Sequence, residues 1–229
     1  MKKGSVQILL AMLCVAALTS CGKVADALGL KGIALDKEEV VTTVKDVVIK
    51  NVDAKKWKIY EIRWSEKEEL GNNLGNIDLA VIDAENNYYT LPITQNTSNE
   101  FIVGEVKESS IPASSRAKIL YEEVIGFDMN KLDGAAIIKQ IEAAKALIPA
   151  EYEFKSVAKF AIKEDVRRIG KSDHLRKVDK KQYGKQSVKF TLNALKKGEG
   201  VEMKGRQIIT NYYDFNFEEN EDGTIVIVD

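Results

Sequence analysis

The sequence predicts an α+β fold made of two tandem modules, each a helix packed on an antiparallel β-sheet. Two segments, 36–49 and 133–147, place apolar residues at helical spacing. Each segment is followed by short runs of alternating apolar and polar residues, which are typical of strands. The two helix-and-strand segments also align with each other without a gap when the chain is shifted by 97 residues. Each helix is expected to bury its apolar stripe on one face of its sheet.

The composition is that of a globular protein and excludes several kinds of site. Of the 229 residues, 45% are hydrophobic and 30% are charged. Two Cys and one His are too few for a disulfide framework, a thiolate zinc site or a histidine-led metal cluster. A formal net charge of −1 gives no overall argument for nucleic acid as a partner.

The first 20 residues have the organisation of a secretory signal peptide. Lys2 and Lys3 supply positive charge, and residues 6–18 are apolar except for Gln7. As a helix, this apolar run would be only ~20 Å long, which is short for a bilayer. Leu18-Thr19-Ser20-Cys21 then resembles the lipobox of bacterial lipoproteins, and the resemblance covers residues 1–21.

The lipoprotein resemblance implies cleavage between Ser20 and Cys21 and a lipid anchor on Cys21. In that family the cysteine thiol receives a diacylglyceryl group, and a fatty acid such as palmitate usually acylates the new amine. Two or more acyl chains anchor a protein stably. Residues 21–34 would form the lipidated tether. Because Cys14 leaves with the leader, the mature chain would keep no free thiol.

The residues after Cys21 bear on where the anchor lies. Gly22 is not the Asp that resembles an inner-membrane retention signal, and no acidic run follows it. This favours a lipid anchor in the outer membrane that faces the periplasm. If the source has a single membrane, the same anchor places the protein on the outer face of the cell membrane.

The first module is predicted to span residues 35–130 and to begin with the helix at 36–49. Asp36 and Glu39 have capping-box spacing. A strand over 57–64 follows, and its alternation divides the side chains between two faces. One face is expected to hold Trp57, Ile59 and Glu61, and the other Tyr60, Ile62 and Trp64.

Further strands are predicted at 77–83, 88–93, 101–106 and 117–125. The first two are joined by Ala84-Glu85-Asn86-Asn87, which is typical of a hairpin turn.

The second module is predicted to span residues 131–229. Its helix at 133–147 is rich in Ala, and Pro149 marks the end. A long strand follows from Tyr152 to Ile162, with an irregularity near Ser156. Later strands are predicted at 187–193, 206–217 and 224–228, the last two joined by a hairpin that contains Asp222-Gly223.

The aligned positions predict that the two modules arose by duplication of one ancestral module. Leu35-Asp36 aligns with Leu132-Asp133, and Trp57-Lys58 aligns with Phe154-Lys155. A helix followed by an antiparallel sheet, twice, resembles the PepSY-like periplasmic domains and the tandem modules of the β-lactamase-inhibitory-protein family. This resemblance is architectural and has no diagnostic motif. It implies a binding or inhibitory module rather than an enzyme.

Patterns of catalytic residues are weak. His174, the single imidazole, lies in a strongly charged segment that is typical of a solvated surface. Gly170-Lys171-Ser172 resembles the end of a phosphate-binding loop, but Asp165 stands where such a loop needs glycine. The carboxylates around the last hairpin lack the order of an EF-hand. We therefore expect no catalytic residue, metal or cofactor.

Charge is segregated in the second half of the chain. Between residues 167 and 189, nine basic residues oppose two acidic ones, whereas residues 199–229 hold eight acidic and two basic ones. The basic stretch predicts either a solvated loop or a patch for an anionic partner. The candidate patch residues are Arg167, Arg168, Lys171, Arg176, Lys177, Lys180, Lys181 and Lys185.

Paired aromatics give a second candidate surface. Tyr88-Tyr89 and Tyr212-Tyr213 place rings on both faces of predicted strands. One ring of each pair is expected to enter the core, leaving the other for recognition or for cross-strand packing.

The sequence thus predicts a lipid-anchored, non-catalytic binding module of the cell envelope. Its expected partner, beside the membrane, is a protein or an anionic envelope component. One alternative is a carrier of a small apolar ligand, which needs an apolar pocket of about 300 Å³ or more. A further alternative is an envelope hydrolase, which needs two carboxylates in a cleft, one with a raised pKa.

Overall fold

The computed structural model describes residues 2–9, 32–109, 118–166, 168–169, 183–199, 202–204 and 207–228. The helices and strands are β1 (Lys2–Leu9), α1 (Glu38–Asn51), β2 (Lys58–Glu66), β3 (Leu74–Ile82), β4 (Tyr88–Gln95), β5 (Phe101–Val103), β6 (Lys107–Glu108), β7 (Lys118–Ile119), α2 (Gly134–Leu147), β8 (Tyr152–Glu164), β9 (Arg168–Ile169), β10 (Gln186–Lys196), β11 (Glu202–Lys204), β12 (Gln207–Glu219) and β13 (Ile225–Val228). Two 3₁₀ turns lie at Tyr121–Glu123 and Met129–Lys131. Among the described helices, none is both long and apolar enough to cross a membrane.

The fold is α+β, with two helices on one large antiparallel sheet. The strand order is β1-β12-β10-β8-β2-β3-β4-β5, with β11 and β13 paired to β12 and β6 paired to β4. Strands from the two halves of the chain meet at β2 and β8, where Trp64 lies opposite Phe160. The predicted α+β class is confirmed. No gap in the sheet separates the two predicted modules, because β2 and β8 pair and the sheet continues from one half of the chain to the other.

Helix α1 forms where the valine pattern predicts it. Val40, Val41, Val44 and Val48 are all buried against the sheet. The predicted capping box is wrong, since Lys37 is the N-cap residue and makes no side-chain capping bond. The Asp36 carboxylate instead accepts hydrogen bonds from Lys145 Nζ of α2 and Asn72 Nδ2, each at 2.8 Å.

Helix α2 carries its own cap and packs beside α1. The Asp133 carboxylate accepts a hydrogen bond from the backbone N–H of Ala136 at 3.1 Å. Ile137, Ile141 and Ala144 form its buried face. The ion pair between Asp36 and Lys145 therefore ties together the two helices that cover the sheet.

Strand β2 departs from the predicted alternation at Tyr60. The pairing with β3 skips Tyr60, which marks a β-bulge. Ile59 and Ile62 consequently both lie in the main core under the helices, although simple alternation assigns them to opposite faces. Tyr60 lies in a smaller apolar cluster with Ile82, Ile119 and Val124.

Strand β8 confirms the predicted irregularity near Ser156. The pairing of β8 with β10 shifts register on both sides of the pair Ser156 and Asn193. The predicted strand at 117–125 is wrong beyond Ile119, where the chain turns at Tyr121–Glu123. The amino group of Lys58 binds the carbonyls of Tyr121 (2.9 Å) and Val124 (2.7 Å), so a contact with β2 redirects this segment.

The main core is one cluster that includes residues of both halves. A row of aromatic rings crosses the sheet beneath the helices: Trp64, Phe160, Phe190 and Phe217 stack in turn, with centroids 4.8, 5.1 and 5.4 Å apart. Such pairs contribute about 0.5–1.5 kcal/mol each beyond the burial of their area. The row joins four neighbouring strands across the junction of the two halves.

The face of the sheet away from the helices is largely polar. Glu61 forms ion pairs with Lys163 at 3.2 Å and with Arg63 at 3.4 Å. On the neighbouring strands Lys189 pairs with Glu218 at 2.9 Å. These charged groups pair with one another. Among the described residues, the large hydrophobic side chains that are exposed include no aromatic ring.

Candidate functional site

The candidate site is an apolar ridge between two clefts at one end of the sheet. We call residues 125–129 the ridge. The first cleft, of about 480 Å³, lies between the ridge and the C-terminal end of α1, and its walls include Val48, Val52 and Trp57. The second cleft, of about 430 Å³, lies on the other side, with Leu132, Ile137 and Val188 in its walls. Both volumes reach the size of small-molecule sites.

A buried carboxylate holds the ridge in place. Glu164, at the end of β8, is only 2% exposed. Its Oε1 accepts the N–H of Ile125 and its Oε2 accepts the N–H of Gly126, both at 2.8 Å. One carboxyl group thus holds two consecutive backbone N–H groups. Gly126 has a φ of +86°, a conformation that glycine adopts without strain.

Two further contacts fix the ridge against the sheet. The N–H of Phe127 donates to the carbonyl of Ile59 at 2.9 Å, next to the bulge in β2. Gly184 lies so close to the side chain of Ile125 that a Cβ at this position would collide with Ile125 Cδ1. The ridge is therefore built from contacts with β2, β8 and the turn before β10.

The ridge displays an exposed apolar side chain. Ile125 is 71% exposed, the highest value among the described large hydrophobic residues that are exposed. Ile49, on the rim of the first cleft, is 52% exposed. An apolar side chain fixed on a rigid backbone and flanked by clefts is characteristic of an interaction surface.

The two clefts differ in charge. Asp128, Asp133 and Glu219 surround the second cleft together with one amine, that of Lys131. A hydrogen bond from the N–H of Asn130 is the main cause that holds the pKa of Asp128 below its ordinary value. In the first cleft the one amine is that of Lys58, which is engaged by backbone carbonyls. The second cleft thus has a predominantly acidic rim and the first is mainly apolar.

Most sequence-predicted site residues lie outside the described residues. These are Ser20 and Cys21, His174, and the patch residues Arg167, Lys171, Arg176, Lys177, Lys180 and Lys181. The backbone of Arg168 belongs to β9, which pairs with β7. Lys185 is exposed, lies in a polar cleft of about 340 Å³, and donates to the carbonyl of Glu221 at 3.4 Å. The described residues therefore do not show the basic patch as a surface.

The tyrosine pairs are used in internal packing. Tyr213 packs edge-on against Tyr152, with centroids 5.1 Å apart, in the main core. Tyr212 is also buried, and its hydroxyl donates to Glu69 Oε1 at 2.8 Å. Tyr89 packs edge-on against Trp57, and the Tyr88 hydroxyl bonds to the backbone of Ile119. None of the four rings is left as an exposed recognition surface.

A buried polar cluster lies at the other end of the sheet. The Glu66 carboxylate accepts hydrogen bonds from the N–H groups of Leu70 and Asn72 and from Asn193 Nδ2, at 2.9 to 3.1 Å. Leu70 and Asn72 have positive φ values of 63° and 54°, so the carboxylate stabilises a strained loop. Burial raises the pKa of Glu66.

This polar cluster lies apart from the three clefts described above. Glu66 and Glu69 line none of them. Glu69 is engaged by the Tyr212 hydroxyl, and burial together with Glu69 raises the pKa of that tyrosine. Within the described residues there is also no group of three or more His, Cys, Asp or Glu side chains placed to hold a metal ion.

Comparison with protein families, with curated proteins and with solved structures finds no match to this chain.

The ridge was not among the sites predicted from the sequence. A local signal does exist, because Gly126 separates apolar neighbours in a segment with weak strand alternation. The carboxylate that holds the ridge, however, lies 38 residues from Gly126, and that contact is set by the tertiary fold.

Proposed function

We propose that this protein is a lipid-anchored, non-catalytic binding module of the cell envelope, and that it captures a partner protein on the ridge and the two clefts. The observation that carries the proposal is Ile125, 71% exposed on a backbone that Glu164 holds in place. A fixed apolar side chain beside apolar pockets loses little conformational entropy on binding. The acidic rim of the second cleft favours a partner segment with basic residues beside its apolar ones.

The position of the tether supports this arrangement. Residues 32–34 enter the fold beside the loop after β2, where Ala34 bridges Asn73 and Leu74 donates to the carbonyl of Ile33 at 2.8 Å. Helix α1 begins nearby and runs for 14 residues to the first cleft. That length is about 20 Å. A tether anchored at Cys21 would therefore attach at the end opposite the ridge and leave the ridge accessible.

The anchor itself is part of the proposal. Cleavage between Ser20 and Cys21 and acylation of Cys21 would confine the protein to the periplasmic face of the outer membrane. In a cell with a single membrane, the same anchor would confine it to the outer face. Confinement raises the effective concentration of the module for partners in the same layer.

We also propose that residues 35–130 and 131–229 are two duplicated modules. Each half supplies one helix and a set of antiparallel strands. Their first strands, β2 and β8, pair with each other, and both helices cover the same core. The duplication would have produced one continuous sheet in place of two separate domains.

An anionic envelope component is a second possible partner class. It would use the basic stretch at 167–189, most of which lies outside the described residues. Reversal of Lys177, Lys180 and Lys181 to Glu tests this proposal. If the patch binds, co-purification of anionic lipid or acidic protein falls. Undiminished co-purification would remove this partner class.

A small apolar-ligand carrier is favoured by the volume and walls of the first cleft. Trp57 lines that cleft, so a bound ligand would change its fluorescence. Titration with a long-chain fatty acid separates the two functions. If the protein captures a partner protein, the fatty acid should cause no saturable one-to-one change in fluorescence. A saturable change in fluorescence that is lost in Val52→Trp would support the carrier.

The capture proposal is tested by crosslinking in cells. A photo-crosslinking amino acid is placed at Ile125, and at Ile102 as a control that is 51% exposed on β5. We expect a specific crosslinked protein from position 125 only. Equal products from both positions, or none from position 125, would contradict capture at the ridge.

A further inference from the structure

We propose that residues 207–214 of β12 form an acceptor edge, which removal of the leader opens and on which a partner protein adds an extended segment as an antiparallel strand. We call residues 207–214 the acceptor edge. The inference depends on the leader cleavage in the proposed function, but it concerns a different surface from the ridge.

In the unprocessed chain the leader covers this edge. Strand β1 pairs with the whole acceptor edge, from Lys2 opposite Asp214 to Leu9 opposite Gln207. These residues precede the predicted cleavage site at Ser20. Cleavage would therefore remove the strand that completes the ladder along the acceptor edge.

The pairings show which side of β12 would be opened. Tyr213 pairs with Lys3 of β1 and with Ala194 of β10, so β1 and β10 lie on opposite sides of β12. Phe217 likewise pairs with β10 and β13, which places β13 on the same side as β1. On that outer side, among the described residues, β1 covers 207–214 and β13 covers 216–219.

Loss of β1 would leave backbone groups unpaired along about 27 Å of strand. The other side of β12 would keep its pairing with β10 and β11. Unpaired N–H and C=O groups on a sheet edge are a template for another strand. This is the geometry of β-strand addition, in which main-chain hydrogen bonds supply affinity.

The acceptor edge has few of the features that protect natural edges. Its sequence, Gln-Ile-Ile-Thr-Asn-Tyr-Tyr-Asp, contains no Pro and no Lys, and its one charged residue is Asp214. Two neighbouring side chains also tie the strand to other parts of the fold. The Tyr212 hydroxyl donates to Glu69, and the Tyr213 hydroxyl donates to Glu199, each at 2.8 Å. A strand that is already ordered binds another strand at a lower entropic cost.

A single extended segment fits this edge better than a second copy of the chain. The leader shows that one strand can occupy all positions between β13 and the start of β12. In an antiparallel dimer, the β13 strand of each copy would lie beside the segment that precedes β12 in the other copy. The partner segment is expected to place a basic residue opposite Asp214, as Lys2 does in the leader.

The test uses the processed protein purified from membranes and a labelled peptide with the sequence of residues 2–9. Intact mass first establishes that the leader is absent. We expect saturable one-to-one binding, and loss of binding when the peptide is N-methylated at alternate residues, because the ladder then lacks its donors. In Asp214→Lys, affinity for the peptide should fall about two- to fivefold. A peptide with Lys2→Glu should restore it.

Several outcomes would overturn the inference. They are a processed protein that does not bind the peptide, equal binding of the N-methylated peptide, and a purified product that retains the leader. Dimers that the peptide dissociates would assign the edge to a second copy instead. Because Ile125→Asp lies on the ridge, it should leave peptide affinity unchanged, so failure of the ridge proposal is distinguishable from failure of the edge.

Discussion

The carboxylate of Glu164 accepts the backbone N–H of Ile125 at 2.8 Å, and its second oxygen holds the next residue in the same way. We expect Glu164→Gln to lower the free energy of unfolding by about 2 kcal/mol. The NH2 group of the glutamine side chain would point at a backbone N–H, and two donors cannot form a hydrogen bond. Denaturant titration measures the loss, and hydrogen exchange should increase at residues 125 and 126.

Glu153→Gln is the matched control for the ridge, since Glu153 lies exposed on the same strand. It should change the free energy of unfolding by less than about 0.5 kcal/mol. Equal effects of the two substitutions would show that Glu164 does not hold the ridge.

The aromatic row predicts that the two halves unfold together. Phe160 is completely buried between Trp64 and Phe190. Phe160→Ala should cost about 3–5 kcal/mol. Tryptophan fluorescence reports on the first half, which contains both Trp57 and Trp64. Its transition should coincide with the transition followed by circular dichroism, whereas two separate transitions would show independent modules.

The ion pair of Asp36 and Lys145 predicts a pH dependence of stability. Burial raises the pKa of Asp36, but hydrogen bonds from Lys145 and Asn72 outweigh it, so the pKa lies below its ordinary 3.8. The stabilisation of the fold by ionised Asp36 is present above pH 3.8 and is lost as the pH falls through the lowered pKa. Burial lowers the pKa of Lys145, but Asp36 raises it above 10.5 overall, so that contribution is lost only in stronger base.

Asp36→Asn should therefore cost about 2 kcal/mol at neutral pH and much less in strong acid. Unfolding of wild type and variant at both pH values measures the difference. Glu142→Gln removes the exposed second partner of Lys145 and should cost less than about 0.5 kcal/mol. A cost of Asp36→Asn that does not change with pH would contradict the assignment.

The ridge predicts the effect of a charged substitution. Ile125→Asp should reduce capture of the crosslinked partner at least about tenfold, since truncation of a central apolar anchor typically costs 2 kcal/mol or more. Ile102→Asp, on the exposed β5, should have little effect. Both variants should unfold like the wild type, because both side chains are solvent-exposed. Similar losses of capture in both would exclude the ridge as the binding surface.

Local patterns predicted the helices and most of the strands. The valines of α1 and the cap at Asp133 act within a few residues, so their effect can be read along the chain. The failed predictions involve distant partners. Asp36 binds Lys145 instead of capping its own helix, and Lys58 turns the segment near Tyr121 away from a strand.

The candidate site was harder to predict for the same reason. The ridge depends on Glu164 of β8 and on the carbonyl of Ile59, which follows from the bulge at Tyr60. Neither contact leaves a periodic pattern in the sequence. The predicted lipobox is the opposite case, because the proposed processing depends on a short linear segment.

The most direct test of the lipid anchor is the intact mass of the protein extracted from membranes, together with fractionation of Cys21→Ala. We expect a product that begins at Cys21, carries the mass of a diacylglyceryl group and an amide-linked fatty acid, and stays with the membrane. Cys21→Ala should be released or remain unprocessed. An unmodified Cys21, or a processed Cys21→Ala protein that remains on the membrane, would contradict the lipid anchor.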